Sequence, residues 1–241
     1  MSTLTFRKRQ VKGNMSRSTN ESRLVVLFNP SSTVAEAYRT LRTNIQYSSV
    51  DNPIQMLMVA SAQAGEGKST VISNLAVAYA QEGKRVLLID TDLRKPSLHR
   101  IFAHTNRQGL TNLLTGQSML QEVLKDSGIE NLSLITSGPT PPNPAELLGS
   151  ARMKKLLEEL KEQFDLILFD TPPVLAVTDS LIVSTYCDGV LLVIHAGKVK
   201  KTYVRKAKEK LDFVQSRIIG AVFNQLKRDD ITFMKYYGSA K

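Results

Sequence analysis

The sequence predicts an α/β fold with a doubly wound, mainly parallel sheet and helices on both faces. Short runs of consecutive apolar residues recur along the chain, and a segment of helical pattern separates each run from the next. Strands buried on both faces show such unbroken apolar runs, whereas half-exposed strands alternate apolar and polar residues. The chain has 241 residues, of which 42% are hydrophobic, so it can bury the core of one large domain.

The first half of the chain predicts strands and helices in alternation. The polar residues 31–33 can cap a helix, and Gly83 marks the end of another. The expected elements are a β-prone run at 24–28, a helix over 34–48, a strand at 54–60, a helix over 68–81, a strand at 86–89 and short helical pieces over 97–125.

The second half continues the same alternation to the end of the predicted sheet. A proline-rich stretch at 138–144 reads as a rigid loop, and Pro172 and Pro173 end a strand. The expected elements are a strand at 132–135, one helix that follows the loop 138–144 and runs to about 163, a strand at 166–169, a helix near 178–186, a strand at 190–194, a helix at roughly 202–214 and a strand at 218–223.

Composition shifts divide the chain into three segments. Residues 1–23 are polar and basic and predict a flexible segment, 24–228 form one domain, and 229–241 predict a flexible tail with tyrosines. The single cysteine, Cys187, excludes an internal disulfide and a Cys-based zinc site. The apolar runs are far shorter than the roughly 20 residues that a membrane span needs, and 1–33 shows no signal-peptide core. We therefore expect a cytoplasmic protein.

The charge balance favours acidic partners. Lys and Arg number 32 against 22 Asp and Glu, which gives a formal net charge of +10. Basic residues concentrate in 1–23 and again in 198–210, and solvated surface is the simplest interpretation of both runs. Only 6% of residues are aromatic and tryptophan is absent, so we expect no specific nucleic-acid partner.

A phosphate-binding loop is the strongest motif in the chain. It lies between a predicted strand and a predicted helix and consists of Gly65, Glu66, Gly67, Lys68, Ser69 and Thr70. The glycines let backbone N–H groups approach phosphate oxygens, Lys68 can reach the β- and γ-phosphates, and the Ser69 hydroxyl can bind Mg²⁺. Ala62 stands where the usual pattern has its first glycine, so this P-loop is a variant.

Acidic residues follow two of the predicted strands. Asp90 and Asp92 end one strand, and Asp170 ends another. The carboxyl ends of parallel strands share one edge with the phosphate loop, so we expect these carboxylates to surround one Mg²⁺–nucleotide site. A single aspartate at a strand end is more often a turn or cap residue, and Asp179 fits a helix N-cap equally well.

These motifs together resemble the deviant Walker ATPases of the MinD/ParA type, which mostly carry a signature lysine where this chain has Gln63. They are more similar to the bacterial tyrosine kinases (BY-kinases) of capsule and exopolysaccharide systems. Their Walker A is similar to residues 61–70, their Walker A′ to 87–94 and their Walker B to 167–173, and 141–148 also looks like theirs. The resemblance covers about 30–237.

The resemblance implies an ATP- and Mg²⁺-dependent protein-tyrosine kinase over 24–228. Lys68, Asp90 and Asp92 would be catalytic, with Asp90 facing the tyrosine hydroxyl. Ser69, Asp92 and Asp170 would hold the metal, while Asn224 would read the adenine edge. For Asn224, a simple turn residue after a strand is nearly as good an interpretation.

The resemblance also implies partners. Helix 34–48 would join subunits into a homo-oligomeric ring, an octamer when unphosphorylated, through Glu36, Arg39 and Arg42, although an i,i+3 ion pair on an exposed helix explains the same spacing. Tyr236 and Tyr237 would be phosphorylated in trans, unless they simply dock on the surface. The other implied partners are the cytoplasmic tail of a membrane adaptor that recruits the kinase to the inner membrane face, protein tyrosine substrates and a tyrosine phosphatase.

Two other functions remain open at the level of sequence. A MinD/ParA-like ATPase would bind DNA or membrane through its basic surface while ATP drives dimerisation. A nucleotide-gated scaffold of a polysaccharide export complex would need ring assembly more than phosphoryl transfer.

Overall fold

The computed structural model describes residues 23–48 and 53–226, and these residues form a seven-stranded sheet. In chain order the strands are β1 (Met56–Ser61), β2 (Val86–Asp90), β3 (Lys125–Asp126), β4 (Leu132–Ile135), β5 (Leu166–Asp170), β6 (Gly189–His195) and β7 (Ile218–Asn224). Their order across the sheet is β3-β4-β2-β5-β1-β6-β7, and only the β3–β4 pair is antiparallel. The predicted doubly wound, mainly parallel fold is confirmed.

Ten helices lie in the described part of the chain. They are α1 (Val25–Phe28), α2 (Thr33–Tyr47), α3 (Lys68–Ala80), α4 (Leu98–Ile101), α5 (Leu110–Thr115), α6 (Leu120–Val123), α7 (Pro144–Leu148), α8 (Ala151–Gln163), α9 (Asp179–Ser184) and α10 (Lys201–Phe213). Among these described residues, no helix has both the length and the apolar character needed to cross a bilayer.

The sheet separates two apolar cores. Side chains of α1 to α4 pack on one face, and those of α5 to α10 pack on the other. The central strands β1, β2 and β5 are buried on both faces, which explains their unbroken apolar sequences.

The β-prone run at 24–28 is a short helix, so the prediction of a strand there was wrong. Asn74 of α3 holds this segment, because its Oδ1 accepts a hydrogen bond from the backbone N–H of Val26 at 3.0 Å and its Nδ2 donates to the carbonyl oxygen of Arg23 at 2.6 Å. The Asn74 side chain thus supplies hydrogen-bond partners to backbone groups of this segment. In a sheet, an adjacent strand would have supplied such partners.

The single helix predicted to follow the loop 138–144 and to run to about 163 is two helices, α7 and α8, and α7 already begins at Pro144. Gly149 ends the first, and Ser150 caps the second by accepting a hydrogen bond from the backbone N–H of Met153 at 3.2 Å. Glycine and serine disfavour a helix interior and favour its ends, which accounts for the break. The two-residue strand β3 was also not predicted.

The register of the central strands decides where the polar residues meet. Asp90 at the end of β2 lies opposite Asp170 at the end of β5, and Asp170 in turn lies opposite Val59 of β1. The loop that follows β1 therefore begins at the same carboxyl edge of the sheet as both aspartates, with Asp170 on the strand next to it.

Candidate active site

The loop between β1 and α3 has the backbone of an anion-binding site. Gly65 and Gly67 adopt positive φ angles of 78° and 91°, and Gly67 is the N-cap of α3. A Cβ atom on Gly67 would lie 2.0 Å from Nδ2 of Asn224, so only glycine fits there. The start of a 13-residue helix provides free N–H groups and a positive dipole end, which favour phosphate.

The side chains of Glu66 and Asn224 hold this loop through hydrogen bonds to backbone groups. Glu66 is 1% exposed, and its carboxylate accepts hydrogen bonds from the backbone N–H groups of Gln63 at 2.6 Å and His195 at 3.2 Å. Asn224 donates from Nδ2 to the carbonyl oxygen of Glu66 at 2.9 Å, while its Oδ1 accepts from the N–H of Gln225. The Asn224 amide therefore supports the loop, and its role at adenine stays a prediction.

The Glu66 carboxylate is a site feature that sequence reasoning missed, because the motif assigned only the backbone of Glu66 to phosphate. A charged residue inside a glycine-rich loop was the available signal, but its burial and its partner on β6 depend on the folded sheet.

Lys68 is the cationic group of the cleft. Its Nζ donates a hydrogen bond to Oγ of Ser61 at 2.9 Å, and the side chain is buried. Burial lowers the pKa of Lys68, while the carboxylates of Asp170, Asp92 and Glu66 act in the opposite direction. Of the three predicted strand-end aspartates, Asp92 and Asp170 thus lie close enough to act on the Lys68 ammonium.

Asp90 and Asp170 form a buried pair of carboxyl groups. The Asp90 side chain is 0% exposed, and its Oδ2 accepts hydrogen bonds from the N–H groups of Ser97 and Leu98, both at 3.0 Å. Burial and the neighbouring Asp170 raise the pKa of Asp90 well above its ordinary value. Burial also raises the pKa of Asp170 to about 6, although the Ser69 hydroxyl and the Lys68 ammonium oppose this rise.

Asp92 and Arg94 lie on the loop after β2. Asp92 is half-buried, and its Oδ1 accepts a hydrogen bond from the N–H of Lys95 at 2.9 Å. Arg94 binds Asp179 through two hydrogen bonds of 2.8 and 3.1 Å, and Asp179 is fully buried. Asp179 thus holds Arg94 in addition to standing at the start of α9, a pairing that no local pattern indicates.

The oxygen groups of the cleft fit a magnesium ion that is shared with a phosphate. Oδ1 of Asp170 is buried without a hydrogen-bond partner among the described residues, and Ser69 lies beside it. Over the described ranges 23–48 and 53–226, no group of three or more His, Cys, Asp and Glu side chains could hold a metal by itself. Mg²⁺ typically takes one or two protein oxygens and completes its shell with water and substrate phosphate, so this donor set fits.

The three charged residues of α2 do not share the active-site cleft. Arg39 pairs with Glu36 at 2.8 Å and also donates to the carbonyl oxygen of Pro30 at 2.7 Å. Arg42 donates to the carbonyl oxygen of Ala78 at 2.9 Å. The i,i+3 ion pair is present, and both arginines bind groups of their own chain. Tyr236 and Tyr237 lie outside the described residues, as does the basic segment 1–22.

The comparisons with known proteins concern the family and the fold of the chain. A family model described as an AAA domain matches residues 54–221. The chain is 46% identical to the tyrosine-protein kinase YwqD of Bacillus subtilis over 90% of this chain and 91% of that protein. It is 39% identical to the putative tyrosine-protein kinase CapB of Staphylococcus aureus over 90% and 96% of the two chains.

The fold is similar to that of a solved kinase. The kinase domain of the Escherichia coli tyrosine kinase ETK superposes with a TM-score of 0.84 at 34% identity, over 92% of this chain and 84% of that one. Fold, motifs and identity over most of the chain lead to the same conclusion: the chain belongs to the bacterial tyrosine kinases, a family built on a P-loop ATPase domain.

Proposed function

We propose that the chain transfers the γ-phosphoryl group of ATP to tyrosine hydroxyls of proteins. The observation that carries the proposal is the meeting of the phosphate loop, Lys68 and the Asp90–Asp170 pair at one edge of the sheet. A binding loop alone would suit any nucleotide-binding protein. A carboxylate pair beside the terminal phosphate position adds a group that can receive a proton.

ATP binds with its phosphates on the amides of the loop and on Lys68. The lowered pKa of Lys68 reflects burial that a phosphate charge would offset, so binding favours the charged ammonium. Ser69, Asp92 and Asp170 would hold Mg²⁺, which supplies positive charge to the phosphate oxygens. Asn224 and Glu66 keep the loop in its binding conformation.

Asp90 orients the incoming tyrosine and takes its proton late. A bond forms between the tyrosine oxygen and the γ-phosphorus, the bond from that phosphorus to the ADP oxygen breaks, and the hydroxyl proton passes to Asp90. An ordinary carboxylate with a pKa of ~3.9 is a weak base for a phenol of pKa ~10. Burial raises the pKa of Asp90 and so brings it closer to the pKa of the phenol. A loose transition state of phosphoryl transfer does not require early removal of the hydroxyl proton.

The finer parts of the proposal concern regulation. Copies of the chain would assemble into an octameric ring through Glu36, Arg39 and Arg42, and phosphorylate Tyr236 and Tyr237 of their neighbours. Each phosphotyrosine adds about −1.5 to −2 charge near neutral pH, which favours separation of the subunits. An adaptor's cytoplasmic tail would activate the kinase at the membrane, a tyrosine phosphatase would reverse the modification, and polysaccharide synthesis and export would follow this cycle.

Phosphosite mass spectrometry after incubation with ATP and Mg²⁺ tests the proposal. The chain is assayed alone and with the cytoplasmic tail of a candidate adaptor, beside the Lys68→Met and Tyr236→Phe/Tyr237→Phe variants. We expect phosphate on Tyr236 or Tyr237, none in Lys68→Met, and retained ATP binding in the double tyrosine variant. Full labelling of the double variant would refute the tail assignment. ATP hydrolysis without any phosphotyrosine would instead favour a MinD/ParA-like ATPase.

A further inference from the structure

A groove runs between helix α10 and the open edge of the sheet. It encloses about 860 Å³, and its apolar wall is formed by Leu192, Ile194, Val204, Ile218 and Phe223. None of these residues belongs to the proposed catalytic machinery. The basic run at 198–210, which the sequence suggested to be solvated surface, borders the same groove.

The sheet face formed by β6 and β7 is only partly covered by helix α10. Ala221 and Phe223 of β7 lie opposite Leu192 and Ile194 of β6, so their side chains point to the same face of the sheet. Helix α10 buries only Ala207 and Leu211. Phe223 is 51% exposed to solvent. An aromatic side chain that is exposed beside other apolar residues is typical of an interaction surface.

Strand β7 also offers backbone groups for pairing. Within the described part of the chain β6 is its one neighbour, so its outer side carries N–H and C=O groups that no strand pairs with. An exposed edge of this kind accepts an extended peptide, whose main chain supplies the hydrogen bonds and whose alternate side chains enter the adjoining groove.

The charge beside the groove has one sign. Lys201, Arg205 and Lys208 line it, and 198–210 contains seven basic residues against the single acid Glu209. Lys208 pairs with Asp212, whereas Lys201 and Arg205 join none of the ion pairs formed among the described residues. These two cations are therefore free to pair with carboxylates of a ligand.

We propose that this groove docks an extended acidic peptide of a partner protein, with apolar side chains in the groove and carboxylates on Lys201 and Arg205. A concave apolar surface beside an unpaired strand edge fits a peptide better than a bilayer, whose surface is flat. Nucleic acid would use the cations but not the apolar wall, because phosphate contacts carry most of its binding. The site goes beyond tyrosine phosphorylation and does not depend on it.

Fluorescence anisotropy with a designed peptide tests this site. The probe is a labelled heptapeptide of alternating Glu and Leu with a central Phe, and its controls carry Lys in place of Glu or Ser in place of Leu and Phe. We expect binding of the acidic apolar probe, and a loss of at least about tenfold in Lys201→Glu/Arg205→Glu, because opposite charges become like charges. An Ala221→Phe variant, which fills the groove, should weaken binding similarly.

A matched variant controls for net charge. Lys84→Glu/Lys155→Glu changes two exposed lysines away from the groove and lowers the net charge by the same amount. It should bind the probe within about twofold of the unmodified chain, since long-range charge effects are screened by salt. All variants should keep the melting temperature and the ATP affinity of the unmodified chain.

Four outcomes would overturn the proposal. They are equal binding of the probe by both charge variants, equal binding of the Ser-substituted peptide, unchanged binding by Ala221→Phe, and displacement of the probe by phosphatidylserine vesicles or a DNA duplex. The first three would reduce the site to general charge attraction, and the last would assign the basic surface to membrane or nucleic acid.

Discussion

At the scale of single residues, the active site contains buried charge that works against folding. Asp170 and Asp90 lie opposite each other on neighbouring strands, and burial raises the pKa of both carboxyl groups. A buried carboxylate without full hydrogen bonding destabilises a fold, and a site that must bind a metal or receive a proton needs such a group. The role proposed for this pair in phosphoryl transfer, rather than a contribution to stability, would account for its presence.

The Asp170→Asn variant should be more stable than the unmodified chain at neutral pH. The pKa of Asp170 is raised from 3.8 to about 6 in the folded state, so the folded state binds this proton more tightly than the unfolded state. The free energy of unfolding should fall as the pH rises from about 4 to above 6, and the variant should lack the part of this fall that Asp170 contributes. At neutral pH the gain is on the order of 2 to 3 kcal/mol.

Urea unfolding at acidic and neutral pH measures this effect, and phosphoryl transfer by the variant should be lost. Asp165→Asn is the comparison, because the pKa of Asp165 is lowered to about 2 by its hydrogen bonds with Arg85, so its removal should destabilise the chain as the pH rises. Lower stability of Asp170→Asn at neutral pH would contradict the prediction.

Glu66→Gln should weaken nucleotide binding without touching any phosphate-contacting group. The carboxylate accepts from two backbone N–H groups, whereas a Gln side chain presents an NH₂ group to one of them. We expect a loss of about 1 to 3 kcal/mol in stability from the unsatisfied buried donor. Nucleotide titration and thermal unfolding measure both effects.

Gln63→Ala is the matched control for Glu66→Gln. Gln63 uses only its backbone N–H for the hydrogen bond to Glu66, and its side chain is exposed. This variant should therefore bind nucleotide normally. Equal losses in both variants would show that the loop surface, and not the buried carboxylate, controls binding.

At the scale of elements, charged side chains of helix α2 form hydrogen bonds within their own chain, whether or not the helix also forms a subunit interface. Arg42 donates to the carbonyl oxygen of Ala78, which lies in the last turn of α3, where the helix has no partner of its own for its carbonyl groups. Glu36, by contrast, has a side chain that is 67% exposed, and its one ion-pair partner within 23–48 and 53–226 is Arg39. Substitutions of Glu36 and Arg42 should therefore differ in how much they lower the free energy of unfolding.

Arg42→Ala should destabilise the isolated subunit by about 1 to 2 kcal/mol, because a charged hydrogen bond to a helix end is lost. Glu36→Ala should change the free energy of unfolding by ~0.5 kcal/mol or less, since exposed ion pairs contribute little. If α2 forms the ring, sedimentation should show that Glu36→Ala reduces assembly while its monomer melts normally. Intact rings in Glu36→Ala would remove that residue from the interface.

At the scale of the whole molecule, the sheet brings distant parts of the chain to one edge. Asp90, Asp170, His195 and Asn224 end four different strands at the carboxyl edge of the sheet. His195 and Asn224 hydrogen-bond to Glu66 of the loop that follows β1. The two cores hold these strands from both faces. The site is consequently preorganised by the sheet and not by the loop sequence alone.

Removing magnesium should affect ligand binding but not the fold. No described group of carboxylates or histidines could hold a metal alone, so the ion depends on the nucleotide for its other ligands. With EDTA the nucleotide-free chain should melt unchanged, while the stabilisation that ATP provides should decrease with its weaker binding. A lower melting temperature of the nucleotide-free chain in EDTA would reveal a structural metal.

The sequence by itself determined the fold class, the phosphate loop and the strand-end aspartates. Apolar runs, glycines and cap residues determine local structure through residues that are near in sequence, so they can be interpreted without the tertiary structure. It did not determine that 24–28 is a helix, because Asn74 from another helix supplies the hydrogen bonds. The support of the loop by Glu66 and the pairing of Arg94 with Asp179 were likewise decided only by the tertiary structure. Each of these contacts joins residues that are distant in sequence, and only the packing of the sheet brings such residues together.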